Sequence, residues 1–124
     1  MRLKRNRLKT YHHRQAILDK DHEGSSYTRY AAAVPFQAEM WPGGGKMQTE
    51  MYGIRLPNIR NLRIHGKYAE IKTEDGKTVF KVEDGPAITV EDGIFLFKDS
   101  DEEPDYKVIA VYPRRFLTLE VERQ

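Results

Sequence analysis

Apolar and polar positions alternate with a period of two along much of the chain, the pattern of strands that bury one face. The clearest case is Val34, Phe36, Ala38 and Met40, which fall on one face of a single extended segment. Upstream, the run LKTYHHRQAILDK (residues 8–20) is rich in Tyr, Ile and Leu and predicts a first strand. The HEGSS segment (residues 22–26) is turn chemistry. A second strand is expected from about residue 27 to residue 40. Pro35 has no N–H to give to a ladder, so this strand should be an edge or bulged there.

The pattern changes at Pro42-Gly43-Gly44-Gly45. Met47, Met51 and Ile54 then follow at i, i+4 and i+7, a helical spacing that Gly53 and Pro57 limit to one or two turns. Residues 43–66 are therefore expected to be a long protruding loop carrying a short helix. Beyond it the alternation returns. Glu-Asp-Gly occurs at 74–76, 83–85 and 91–93, the rhythm of short strands joined by tight turns. This is turn punctuation rather than a duplicated domain. Residues 94–97 (IFLF) predict a short buried strand, DSDEEPD an acidic loop, and YKVIAVY with FLTLEVE a terminal hairpin around Pro113-Arg114-Arg115. Val108, Ala110, Leu117, Leu119 and Val121 should supply its apolar face. The expected fold is mainly β: a small antiparallel β-barrel or sandwich with a long glycine-hinged loop carrying a short helix. It forms a single domain over residues 1–124, with residues 1–7 as a basic flexible arm.

Composition sharpens this picture. Hydrophobic residues make up 39% and charged residues 32% of the 124 positions, so the core is thin or is completed by partner chains. The absence of cysteine excludes disulfides and thiolate metal sites. No run of about 18 apolar residues predicts a membrane span, and the basic N-terminus lacks the apolar stretch of a secretory signal. The charge is segregated. Residues 1–41 carry eight Lys/Arg against four Asp/Glu, residues 42–69 five against one, residues 70–105 four against twelve, and residues 106–124 four against two. Such a split suits stacked or head-to-tail assemblies and basic surfaces near nucleic acid, although scattered solvated faces give the same counts.

Candidate chemistry is sparse. Gly45-Lys46 suggests a phosphate loop, but that motif needs Gly at position 40 and Ser or Thr at 47, where Met40 and Met47 stand. The glycines are better read as a hinge. His12 and His13 are adjacent on a strand, so they point to opposite faces and cannot easily share a metal. In the acidic loop, Asp99, Asp101 and Glu103 match the start of a calcium loop, but Pro104 and Ala110 replace its required Gly and Glu. Ser25, Ser26 and Ser100 have no nearby base, and no nucleophile elbow is present. The expectation is a non-enzyme without cofactor or metal. Two sets of cations remain for phosphates: the N-terminal arm with Arg2, Lys4, Arg5, Arg7 and Lys9, and the loop with Lys46, Arg55, Arg60 and Arg63.

The order of landmarks carries a resemblance: FQAEMWP (36–42), GGKMQTEMYG (44–53), PDYKVI (104–109), a hydrophobic terminal hairpin, and TYHHR (10–14) near the start. Over residues 8–122 the chain resembles the head–tail joining (head-closure, or stopper) proteins of tailed bacteriophages. It closely resembles the small form in PBSX-type prophages of Gram-positive bacteria. Residues 67–84 match no part of that pattern and are expected to be an added hairpin. The resemblance implies a structural subunit of a homo-oligomeric ring in the virion neck, assembled in the host cytoplasm. Its partners would be portal or adaptor ring proteins on one side and tail terminator or tail tube proteins on the other, with non-specific contact to packaged double-stranded DNA and none to membrane. In related stoppers the long loop points toward the DNA channel, which here implies channel or neighbour contacts by Lys46, Met47, Gln48, Glu50, Met51, Tyr52, Arg55 and Arg60. The alternative from the residues themselves is a small β-barrel nucleic-acid-binding module.

Overall fold

A computed structural model describes residues 7–99 and 101–124. Eleven strands form among them: β1 Lys9–Arg14, β2 Ala16–Lys20, β3 Ser26–Tyr30, β4 Val34–Pro42, β5 Ile59–Ile64, β6 Tyr68–Lys72, β7 Thr78–Val82, β8 Ala87–Ile88, β9 Gly93–Phe95, β10 Tyr106–Pro113 and β11 Leu117–Arg123. One helix, α1 Lys46–Tyr52, runs into a 3-10 turn at Gly53–Asn58. Six strands close an antiparallel barrel in the order β1-β4-β5-β11-β10-β9, so the expected β class and barrel are present. Closure leaves these strands no open edge, and their inward side chains form the core. Tyr11, Phe36, Ala38, Leu62, Ile64, Val108, Leu119 and Val121 are all buried there.

Each of the two expected N-terminal strands is two. Gln15 separates β1 from β2, and residues 31–33 separate β3 from β4. β1 and β4 are barrel strands, whereas β2 and β3 pair only with each other, from Ala16↔Tyr30 to Lys20↔Ser26. This ribbon buries no residue, and Leu18 on it is 75% exposed. Pro35 is accommodated as expected of an edge. It pairs with His12 of β1, while β4 pairs with β5 only from Ala38 onward, so no second ladder needs the missing N–H.

Residues 59–64, expected inside the loop, are instead barrel strand β5, paired with both β4 and β11. Their alternation was masked by the polar pair Arg60 and Asn61 and by Arg63, all on positions that do not enter the main core. The excursion is thus confined to residues 43–58. A second correction concerns β10. A bulge between Val108 and Ala110 shifts the register, so Ala110 pairs with Glu120 on the outer face and Val111 packs on the core in its place. In residues 94–97, Ile94 and Phe95 are buried as expected, but Phe97 is 67% exposed.

The unplaced residues 67–84 do form a hairpin, and β8 extends it to a three-stranded sheet. Its Phe80, Val82 and Ile88 join the barrel core. Full burial of a side chain of this size is worth about 1.5–3 kcal/mol, so the segment completes a core that composition alone made look thin. The three Glu-Asp-Gly copies are all turns, but they are built differently. The left-handed residue is Gly76 in the first, Asp84 in the second and Glu91 in the third.

The acidic loop is anchored at both ends. Asp105 accepts the backbone N–H groups of Leu96 and Phe97, each at 3.0 Å. At the other side, a Cβ on Gly93 would overlap the Pro104 ring, coming within 2.7 Å of its Cβ, and would lie 3.1 Å from the Tyr30 ring. Gly93→Ala is therefore expected to destabilise the chain by about 1–3 kcal/mol through overpacking, measurable as a lower urea midpoint with an unchanged slope.

Candidate functional site

The excursion after β4 folds back on the outer face of the barrel instead of extending freely. Its glycines serve separate purposes. A Cβ on Gly43 would lie 2.9 Å from the Ile59 carbonyl oxygen and 3.0 Å from Ile59 Cβ, so only glycine lets the chain cross β5 this closely. Gly45 takes φ 85°, the left-handed conformation that turns the chain into α1. Beneath this crossing, Ile59 is fully buried although it lies outside the main core cluster.

Glu120 is the anchor of the arm. It is buried on β11 and accepts from three donors: Gln48 Nε2 at 2.5 Å, Tyr52 OH at 3.2 Å and Tyr112 OH. Gln48 also donates to Asn61 Oδ1 at 2.6 Å, and its own carbonyl accepts Gly44 N–H at 2.9 Å. The Tyr52 hydroxyl is pushed up to about 12, first by burial and then by the adjacent Glu120 charge. Its hydrogen bond to Glu120 likewise raises Tyr112. Both phenols therefore stay protonated donors at neutral pH. Three residues beyond Tyr52, Arg55 forms a fork on Glu122, with Nε at 2.7 Å and an Nη at 2.6 Å from the two carboxylate oxygens.

These contacts divide the expected contact residues into two sets. Gln48 and Tyr52 turn inward on Glu120, and Arg55, although half exposed, is tied to the barrel by Glu122. Lys46, Met47, Glu50 and Met51 remain exposed, as does Ile54. No residue of α1 is buried, Met47 is 77% exposed and Ile54 97%. Arg60 stands apart on β5, donating to the Pro57 and Ile59 carbonyls. Of the basic arm, Arg2, Lys4 and Arg5 lie outside the described residues. Arg7 stacks 4.0 Å from the centre of the Trp41 ring, with Arg63 over the same ring at 5.7 Å, and Lys9 begins β1.

The pairing of Arg55 with Glu122 holds the Glu122 carboxyl below its ordinary 4.5. A depressed carboxylate adds stability above its unfolded value, and that stability is lost as pH falls through the folded one. Replacing Arg55 with Ala should therefore lower the melting temperature slightly at pH 7, and the gap from the parent should narrow as pH falls below 4.5. Melting curves of both proteins from pH 3 to 7 check this; a gap that does not narrow between pH 4.5 and 3 refutes the ionic origin.

A second polar cluster was not foreseen. His12 and His13 do face opposite ways, but His13 is buried with its Nε2 2.7 Å from Asp92 Oδ2. Asp92 also accepts the N–H groups of Ala16 and Thr89, both at 3.0 Å. All three donors are structural partners, and no group of three or more metal-ligating side chains occurs among the described residues. The pair is 79 positions apart in sequence, and no local signal joins a histidine on the first strand to an aspartate in the third Glu-Asp-Gly turn. Glu120 and Glu122 were visible only as the polar half of an alternating strand.

No helix among the described residues is long and apolar enough to cross a membrane. In comparisons with protein-family models, characterised proteins and solved structures, nothing matches this chain. The fold and site define a closed β-barrel bearing a polar-latched helical arm.

Proposed function

We propose that this chain is a structural subunit of a phage head–tail connector ring, joining a portal or adaptor ring to the tail and continuing or closing the DNA channel. The observation that carries the reading is the arm. Its inner side is fully engaged with Glu120 and Glu122, while its outer side presents Met47, Met51 and Ile54 to solvent. Exposed apolar groups on a held helix suit docking against another chain, and methionine adapts its shape to a partner. The residues FQAEMWP and GGKMQTEMYG that carry the resemblance are β4 and the start of this arm. The segregated charge and the ribbon β2–β3 also suit multi-chain assembly.

The mass of the purified protein, alone and mixed with portal, adaptor and tail proteins, tests this, followed by imaging of any particle. The expected result is a ring, formed with a partner, in which residues 43–60 face the hole or a neighbouring ring. A monomer that ignores those proteins, yet binds duplex DNA with a steep salt dependence, would instead support the small nucleic-acid-binding module. The groove that Lys46, Arg63 and Arg114 line together favours that second reading.

A further inference from the structure

Strand β10 carries opposite charges at its two ends. Arg114 and Arg115 follow its last residue, Pro113, and Asp101, Glu102 and Glu103 precede its first, Tyr106. Eight residues of strand separate them by roughly 26 Å. At the basic end, Arg114 lies 5.0 Å from the Tyr112 ring centre and Arg115 5.8 Å from that of Phe116. A groove of about 600 Å³ continues this surface to Lys46 and Arg63. None of these four cations makes an ion pair within 4.0 Å, and the undescribed positions hold no Asp or Glu. Glu39, cross-strand from Arg63, is buried and offsets part of that one charge. The carboxylate that lines the groove, Glu120, already accepts from three donors. A guanidinium stacked on an aromatic ring keeps its N–H fork free for a carboxylate. At the acidic end the three carboxylates are exposed, and Glu103 shares a surface with Phe97; Lys98 and Arg123 line the same surface and offset part of the charge, while Arg60 donates to backbone carbonyls.

We propose that this basic, aromatic surface is the docking site for a second copy of the chain, which seats Asp101–Glu103 and Phe97 on Arg114 and Arg115. The inference rests on the ring reading and names its contact. It follows from charge complementarity: one chain displays both halves, at opposite ends of one strand. Two different patches make a heterologous contact, which propagates head to tail and closes as a ring when the rotation allows. A polynucleotide fits less well, because guanidinium groups already occupy faces of Trp41 and Tyr112 that bases would stack on.

Charge reversal tests the contact. Wild type, R114E/R115E, D101K/E103K and the fourfold variant are compared by sedimentation at low and high salt, with portal or adaptor present where assembly needs it. All four positions are exposed, so melting temperatures should stay near the parent value. Each double variant should weaken association about tenfold or more, high salt should do the same to wild type, and the fourfold variant should recover. Wild-type assembly by R114E/R115E would overturn the contact and leave the ring reading standing. Failure of wild type to assemble even with those partners would overturn both. Intact assembly with lost duplex-DNA binding in R114E/R115E would assign the surface to phosphates instead and overturn the proposal.

Discussion

Replacing Asp92 with Ala should cost about 3–5 kcal/mol of folding stability, the range for removing one member of a buried charged or hydrogen-bonded pair. The carboxylate is buried and fully used. It takes the His13 ring at 2.7 Å and the Ala16 and Thr89 amides at 3.0 Å, joining β1, the start of the β2–β3 ribbon and the turn before β9. Without it, the buried His13 ring and two part-buried amides lose their acceptor, and a buried unsatisfied group costs about 1–3 kcal/mol. His13→Ala removes one of the three contacts and should cost less. Urea unfolding at pH 7 measures both. A loss below about 1 kcal/mol for Asp92→Ala would mean that the turn rearranges and that the cluster does not hold β1 to β9.

The second large effect is expected at Glu120, and it should be local. Glu120→Ala removes the shared acceptor of Gln48, Tyr52 and Tyr112. The helix it holds has no buried residue of its own, and an isolated seven-residue helix is not stable in water. Amide exchange should therefore accelerate across residues 46–58 while β5 and β11 keep their protection. A proteolytic cut in the arm should follow, with the rest of the domain intact. Unchanged exchange in the arm would show that packing of Gly43 on Ile59 holds it without Glu120. The same variant has an alkaline signature. Tyr52 is raised to about 12 and Tyr112 in the same direction, so the stability they contribute is complete below their ordinary 10 and is lost as pH rises from there toward 12. Removing the Glu120 charge and acceptor should reduce that alkaline loss, as urea midpoints between pH 8 and 11 would show.

If the connector reading holds, these two clusters have different work. Asp92 makes the barrel a fixed platform, and Glu120 presents the arm on it. Met47, Met51 and Ile54 then face a partner from a helix whose position is set by polar contacts. Such contacts can be exchanged for others without opening a core, which suits a surface that changes neighbours during assembly.

Period-two alternation was sufficient to predict a β protein, and the i, i+4, i+7 spacing of Met47, Met51 and Ile54 a short helix after the glycines, because both signals depend only on which residues share a face of one element. It also placed the turns, since Gly, Asp and Pro act through their own backbone preferences. Phe36, Ala38, Leu117, Leu119 and Val121 were assigned to the core on the same grounds, and all are buried. What depended on contacts distant in sequence was not visible. β5 was hidden by its three outward polar residues until β4 and β11 flanked it. The bulge in β10 moved Ala110 out and Val111 in, a change set by pairing with β11 rather than by the local pattern. The glycine-rich segment shows in its own sequence that it leaves the sheet, but its return to Glu120 and Glu122 joins positions about 70 residues apart. A strand sequence shows that a glutamate faces outward; it does not show which helix will come to lie on it. That is decided when barrel closure brings β5 and β11 side by side under the arm.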